Sequence, residues 1–379
     1  MLSKFSVKNF KSFEKKLVFD LSQTKDYDFN KECVRNGTVN KAIIYGYNGI
    51  GKSNLALAVM DIIVNLTTDK KTSIEHYNNY LNAHSDEQIA EFSYTFIFDK
   101  DKVEYNYGKH SYENIVYENL LINGKKIICY DNRTEKLSVN FEGTEIFIKN
   151  IMETKSPKTS LLKYIKLHGN LSNNDANVKI FNKLMEYANN MLLFWNLDTR
   201  KYLGYKTGST NIMDYIIKNK KIDEFSNFLK EAKLGLNLRY LKYENDPNGY
   251  RLYYNYPKRH KIDFWDFCSS GTKSLVLFYY WLQFAKNDKN KPSLVFIDEF
   301  DAFYHFELSR FVVEKLKEIS CQVILTTHNT SIISNDILRP DCYFFMYNGK
   351  IKSFVNSTNK ELRSEHDIER MYKAGAFDG

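Results

Sequence analysis

Three short segments carry residue types in an order suited to phosphate chemistry. Gly46-Tyr47-Asn48-Gly49-Ile50-Gly51-Lys52-Ser53 fits the pattern GxxxxGK[ST] and lies between an apolar run and an amphipathic stretch, the setting a phosphate-binding loop requires. Its glycines let the backbone curl until N–H groups and a helix N-terminus point at phosphates. Lys52 then reaches the β- and γ-phosphate oxygens, and Ser53 ligates Mg2+. Leu294-Val295-Phe296-Ile297-Asp298-Glu299 is an apolar run ending in adjacent carboxylates. Delivered at the C-terminal edge of a parallel strand, Asp298 would complete the Mg2+ shell and Glu299 would polarise an attacking water. The second acid argues for hydrolysis rather than binding alone. A third run, Val323 to Leu325, leads through Thr326 and Thr327 to His328, placed to meet a γ-phosphate. A nucleoside triphosphate with Mg2+ is the expected ligand.

A fourth segment, Cys268-Ser269-Ser270-Gly271-Thr272, opens an apolar helix. Alone it reads as a helix cap. Its place ahead of the carboxylate run weighs toward a functional role.

The elements that must position these residues follow from periodicity. Phe5 and Val7 alternate with Lys4, Ser6 and Lys8 as in a strand, and Leu17 to Leu21 is a second strand-like run. Ala42 to Tyr45 predicts a buried strand before the phosphate loop, and Leu55, Val59, Ile62, Ile63 and Leu66 share one face of the helix after it. Short alternating segments from Phe92 to Phe141, separated by Asp-Lys, Asn-Gly and Asp-Asn steps, predict an antiparallel meander. Lys155 to Gly169 and Val178 to Trp195 read as helices, without sustained heptads. The last third alternates helix and strand, with Leu308, Phe311, Val312, Leu316 and Ile319 on one helix face, and so predicts a parallel sheet.

Composition sets the outer bounds. The chain has 379 residues, 43% hydrophobic, 15% aromatic and 26% charged, which suits one large or two ordinary globular domains and excludes a disordered chain. The longest apolar run, Leu275 to Leu282, is far short of a membrane-spanning helix, and the first residues lack an apolar leader core. A cytoplasmic protein is expected. Five scattered cysteines without a CxxC pair support neither a disulfide framework nor structural zinc. A net charge of +8, from 54 Lys+Arg and 46 Asp+Glu, is compatible with phosphate-rich partners and with an ordinary cytosolic surface. The basic stretches Lys218 to Lys221 and Lys258-Arg259-His260-Lys261 leave the same two readings open, nucleic acid or a solvated face.

Taken together, GYNGIGKS, SSGTKSL, LVFIDEFD and TTHN resemble, in that order, the ABC-type P-loop ATPase head shared by SMC proteins, RecF-like recombination ATPases and relatives of the OLD (overcoming lysogenization defect) family. The opening FSVKNFKSFEKKLVFDLS is similar to that group's first strands. SSGT, IDEFDAFYH, the EFSYTFIF to YENL meander and the closing IERMYKAGAFDG look most like compact bacterial AAA ATPases of abortive-infection and phage-defence systems.

The resemblance implies an α/β head with a mixed central sheet, an antiparallel meander and an inserted helical lid. Residues 1–150 and 251–379 would form the two halves of the head and 151–250 the insertion. It also implies a homodimer or higher oligomer with ATP at the interface. One subunit would contact nucleotide through Gly46, Asn48, Gly49, Gly51, Lys52, Ser53 and Asn54, hold Mg2+ through Ser53 and Asp298, and hydrolyse ATP with Lys52, Glu299 and His328. The partner would supply Ser270 and Gly271, with Asp301 where the D-loop crosses the interface. Gln88 is a candidate for the Q-loop glutamine, and Lys11 and Phe13 are candidates by position for the adenine side. The expected function is an ATP-hydrolysing sensor or scaffold controlling a separate nuclease-like or toxin-like effector in phage defence. The alternative is a RecF- or SMC-like repair or recombination ATPase that clamps DNA.

Overall fold

The computed structural model describes residues 1–67, 78–141, 160–194, 202–204, 212–234, 238–242, 250–256, 259–287 and 291–377. The first sheet is antiparallel throughout. It begins with β1 (Leu2–Lys8) and β2 (Leu17–Asp20) and continues through β6 (Ala90–Phe98), β7 (Asp101–Lys109), β8 (Ile115–Ile122), β9 (Lys125–Asp131) and β10 (Lys136–Val139), in the order β10-β9-β8-β7-β6-β1-β2. The meander therefore forms as its alternation predicts: in β6 every second residue, Phe92, Tyr94, Phe96 and Phe98 among them, is buried. The position of β1 between β6 and the edge strand β2 joins residues far apart in sequence, with Phe5 opposite Tyr94.

The second sheet is mixed and central. Its order is β12-β11-β16-β17-β5-β18-β19, built from β5 (Lys41–Tyr45), β11 (Met191–Phe194), β12 (Tyr202–Gly204), β16 (Leu294–Ile297), β17 (Gln322–Thr327), β18 (Tyr343–Tyr347) and β19 (Lys350–Ser353). The five inner strands run parallel and the two edges antiparallel. Every residue of β5, β11, β16 and β17 is buried, as parallel strands covered on both faces must be. Two small ladders complete the strands: β3 (Val34–Arg35) with β4 (Thr38–Val39), and β13 (Leu238–Lys242), β14 (Tyr250–Tyr256) and β15 (Arg259–Asp263).

The helix α1 (Lys52–Leu66) lies between the sheets. It packs on β11 and on α2 (Leu161–His168) and α3 (Ala176–Asn189), while the Tyr94 hydroxyl of the meander donates to the Ala58 carbonyl at 2.8 Å. Nearly all its residues are buried, as expected of a helix with no solvent face. The other face of the central sheet is covered by α7 (Ser270–Lys286) and α8 (Phe306–Lys317), reached through α4 (Ile212–Lys218), α5 (Ile222–Glu231) and the short turn α6 (Phe264–Phe267). Gln322 pins the two sheets together. Its buried amide donates to the Leu2 and Val39 carbonyls and accepts from Leu2 N and the Tyr187 hydroxyl, so all its hydrogen-bonding capacity is used.

One expected element is different. The run Val178 to Trp195 reads as a single helix, but α3 ends at Asn189 and Met191–Phe194 is the strand β11, paired with β16 in parallel register. A wholly apolar four-residue run has no periodicity of its own, and burial between two layers decides it. The stretch expected to be helical thus contributes a strand to the central sheet.

All five cysteines are buried free thiols. Among the described residues no helix is long and apolar enough to cross a membrane. Lys218 to Lys221 lies on the surface side of α4 and its following turn, where Lys221 is engaged by Gln283 at 2.6 Å and Glu224 at 3.3 Å. Lys258 and the side chains of Arg259, His260 and Lys261 lie outside the described residues.

Candidate nucleotide site

The strand order β16-β17-β5 brings three chemically distinct C-terminal ends to one edge. Tyr45, the last residue of β5, is opposite Thr327, and Ile297 of β16 is opposite Leu325. The residues that follow, the loop from Gly46, the pair Asp298-Glu299 and His328, are therefore neighbours by register alone. Ligands of parallel sheets bind at such an edge.

The loop has the conformation its glycines permit. Gly49 and Gly51 have φ of 79° and 104°, in the left-handed region where a side chain is strained. At Gly51 a Cβ would also come within 2.7 Å of Ser12 Oγ and 3.3 Å of a Phe13 ring carbon. At Gly46 the limit is space, since a Cβ would meet Ile50 at 2.9 Å and the Met346 carbonyl at 3.1 Å. Lys52 opens α1, and its buried ammonium donates to the Gly46 and Tyr47 carbonyls at 2.8 and 3.1 Å. Burial lowers its pKa, opposed by the carboxylates of Asp298, Glu299 and Asp301. Asn48 is exposed on the loop, and Asn54 donates to Ser12 Oγ at 2.9 Å. The turn of Lys11, Ser12 and Phe13, which holds the candidates by position for the adenine side, therefore flanks the phosphate loop.

Asp298 is 2% exposed. Burial raises its pKa, with Glu299 adding to the effect, while hydrogen bonds from Ser53 and Thr326 and the charge of Lys52 act against it. Ser53 and Asp298 thus face each other, one hydroxyl and one carboxylate, the oxygen donor set a Mg2+ ion takes alongside substrate phosphates. Glu299 is half-buried and has φ of 44°, with its N–H donating to Thr326 Oγ1 at 2.8 Å. A left-handed glutamate is strained by about 1 kcal/mol or more, and such strain at a strand end turns the side chain away from the direction an extended residue would take.

His328 is exposed at the end of β17. Behind it, Thr327 Oγ1 donates to both Asp301 oxygens, at 2.7 and 2.9 Å, and accepts from Asn329 N at 2.9 Å. Asp301, assigned by resemblance to a crossing between subunits, is 6% exposed and braces the His328 loop of its own chain. Burial raises its pKa, and the Thr327 hydroxyl and His328 act against that shift. Gln88 is exposed and donates to the Asp86 carbonyl at 3.0 Å.

Ser270 and Gly271 stand on a separate element, the start of α7. The cap is Ser269, whose hydroxyl accepts from Thr272 N at 3.2 Å, which leaves Ser270 exposed. Gly271 is held by close approach: a Cβ there would come within 2.9 Å of the Phe303 carbonyl. That contact joins α7 to the segment after Glu299. Phe303 is 42% exposed, and Phe267 and Phe306, three residues from Ser270 and Phe303 in sequence, are 56% and 45% exposed.

Residue spacing left three contributors unassigned. Thr326 braces Asp298 and Glu299 and Thr327 braces Asp301, and their signal is the pair of hydroxyl residues ending an otherwise apolar strand. Ser12, against Gly51 and Asn54, carried no signal, because its position depends on pairing between distant segments.

No curated protein matches the chain. Solved structures similar over most of the chain include an SMC head bound to the C-terminal winged-helix domain of ScpA, at 18% identity and TM-score 0.46, covering 93% of this chain and 97% of that one. The SMC head domain from Thermotoga maritima is similar at 15% identity and TM-score 0.44, covering 93% and 98%. The recombination mediator RecF with a bound ATP analogue follows at 17% identity and TM-score 0.38, covering 93% and 98%. Likenesses at this level say nothing of activity. The family model described as "AAA domain, putative AbiEii toxin, Type IV TA system" matches residues 41–334, a span that runs from the strand before the phosphate loop to beyond His328. The chain belongs to that AAA-domain family.

Proposed function

We propose that this protein is an ABC-type ATPase that binds ATP with Mg2+, hydrolyses it, and uses the cycle as a cytoplasmic sensor or scaffold controlling a separate effector in phage defence. The observation that carries the enzymatic part is the single strand edge where Lys52, Ser53, Asp298, Glu299 and His328 meet. The loop glycines and the start of α1 suit the phosphates, and Lys52 exchanges its carbonyl partners for phosphate oxygens. Mg2+ between Ser53 and Asp298 would neutralise charge on the β- and γ-phosphates. Glu299 accepts a proton from water as that water attacks the γ-phosphorus. The β–γ bridging bond breaks, giving ADP and inorganic phosphate. His328 hydrogen-bonds the γ-phosphate, and Asp301 and Thr327 hold its loop.

The exposed Ser270 and the exposed rings of Phe267, Phe303 and Phe306 support a second copy as the partner, because exposed apolar side chains favour association. In a head-to-tail dimer the start of α7 would meet the partner's nucleotide. The control of an effector rests on the SSGT and IDEFDAFYH variants of the motifs and on the family description, which names a toxin of a toxin–antitoxin system. The test is Glu299→Gln. Turnover of ATP is expected to fall about 100-fold or more, while ATP-dependent dimerisation, read by light scattering, persists. Unchanged turnover would overturn the role of Glu299 and with it the hydrolytic mechanism.

A further inference from the structure

Asp61 and Lys109 form an ion pair at 3.0 Å with both side chains wholly buried, between α1 and the meander. Nothing in the nucleotide chemistry uses them directly. Asp61 lies on the helix that begins with Lys52. Its Oδ2 accepts from Lys109 and from the Tyr107 hydroxyl at 2.9 Å, and its Oδ1 accepts from the Tyr80 hydroxyl at 3.0 Å. The Lys109 ammonium also stands over the rings of Tyr80, Tyr107 and Tyr112, at 5.3, 6.0 and 5.6 Å. A buried charge pair so fully surrounded has one low-energy arrangement, and displacing any member leaves a charge without its partner.

Tyr80 is the member that leads back to the nucleotide. Its carbonyl accepts from Lys11 N at 3.0 Å, and its ring packs edge-on against Phe10 at 5.0 Å. The neighbouring Asn82 amide donates to the Lys11 carbonyl at 2.6 Å, and Lys11 Nζ donates to the Asn78 carbonyl at 2.9 Å. Segment 78–82 thus holds Lys11 by its N–H, its carbonyl and its side chain. The hold is needed, because Lys11 has φ of 47° and Asn9 φ of 52°, and a left-handed lysine persists only where its surroundings impose it. The same turn places Ser12 on Asn54 at 2.9 Å and crowds Gly51.

We infer that Asp61, acting through Tyr80, is a positioning residue that fixes the Lys11–Phe13 turn against the phosphate loop and so sets the affinity for nucleotide. The inference rests on the nucleotide reading above. Its logic separates two tyrosines that make the same bond: Tyr80 and Tyr107 both donate to Asp61, but Tyr107 lies within β7 and makes no contact with the turn among the bonds described, whereas Tyr80 holds it.

The experiment compares Tyr80→Phe with Tyr107→Phe in the full chain, reading KM and kcat for ATP and thermal unfolding. Each variant loses one hydroxyl to the same carboxylate and keeps its ring, so both should fold and lose similar stability. Tyr80→Phe is expected to raise KM about fivefold with little change in kcat, and Tyr107→Phe to leave KM unchanged. Asp61→Asn alone strands the Lys109 ammonium and can fail to fold. The paired Asp61→Leu/Lys109→Met variant removes both charges and the acceptor of the Tyr80 hydroxyl, and should show the Tyr80→Phe effect on KM. If wild type neither binds nor turns over ATP, the nucleotide reading fails and takes this inference with it. If wild type is active and the two tyrosine variants shift KM equally, or neither shifts it, the positioning role alone is overturned.

Discussion

The Thr326 hydroxyl donates its hydrogen to Asp298 Oδ1 and accepts from the N–H of Glu299. One small side chain on β17 therefore orients the acid assigned to the metal and fixes the strained backbone of the acid assigned to water. Because β16 and β17 are in parallel register, this bridge forms wherever the two strands pair.

Thr326→Val keeps the shape and removes both bonds. It leaves a buried carboxylate and a backbone N–H short of a partner, which is expected to lower stability by about 1–3 kcal/mol and to reduce ATP turnover because both acids lose their orientation. Thr326→Ser restores the hydroxyl and should recover most of each loss. Denaturant unfolding alongside ATPase rates separates the two effects, and a Val variant with full turnover would show that the bridge does not matter to catalysis.

Asp298 should destabilise the protein when no nucleotide is bound. Its pKa is raised by burial, so the folded state binds its proton more tightly than the unfolded chain does. For an acid shifted in that direction, the contribution to stability is fully present below the unfolded value, 3.8, and is lost as pH rises through the folded value. Asp298→Asn is thus expected to be more stable than wild type near pH 8, with the gap closing on acidification, and to lose Mg2+-dependent ATP binding. Unfolding curves at pH 8 and pH 5 check the sign. A variant less stable than wild type at pH 8 would contradict it.

What the sequence made legible, and what it hid, follows from range. The phosphate loop and the β16 carboxylates are local patterns, since glycines, an apolar run and a charge change lie within a few residues of each other. The meander was legible for the same reason: each strand is joined to the next by a short turn. The partner of β1 is a different matter, because its place beside β6 depends on long-range pairing and on Gln322, whose amide holds Leu2 from the far sheet. The motif position of Asp301 does not say which way its side chain points within its own chain, where it accepts from the Thr327 hydroxyl. Strand β11 reads as helix in sequence because Met191–Phe194 follows a true helix after only one residue, Asn190. In each case the deciding partner lies on another element.

Gly271 should tolerate no side chain. A Cβ would meet the Phe303 carbonyl at 2.9 Å, and backbone on both sides cannot rotate away as a long side chain could. Gly271→Ala is expected to lower stability by about 1–3 kcal/mol, and to weaken any ATP-dependent self-association by shifting the start of α7. Thermal unfolding and sedimentation with and without ATP are the measurements. Equal stability to wild type would mean that α7 and the Phe303 segment move apart freely, which would remove the structural link between Gly271 and Glu299.

Nucleotide should stabilise the fold in proportion to its binding, and Mg2+ should matter to that gain. A ligand that binds only the folded state at about 100 times its Kd adds about 2.7 kcal/mol. With wild type, ATP plus Mg2+ is expected to raise the melting temperature clearly, and ATP with a chelator less so, because Asp298 and Ser53 then face each other without the ion. The Lys52→Ala variant should lose the shift, since its ammonium is the buried cation nearest the loop carbonyls and the acids. Asp298→Asn should show the same small shift with and without Mg2+, whatever its own melting temperature. That pattern would tie the metal to Asp298 by thermodynamics alone, without relying on turnover, and a Mg2+-dependent shift that survives Asp298→Asn would place the ion elsewhere.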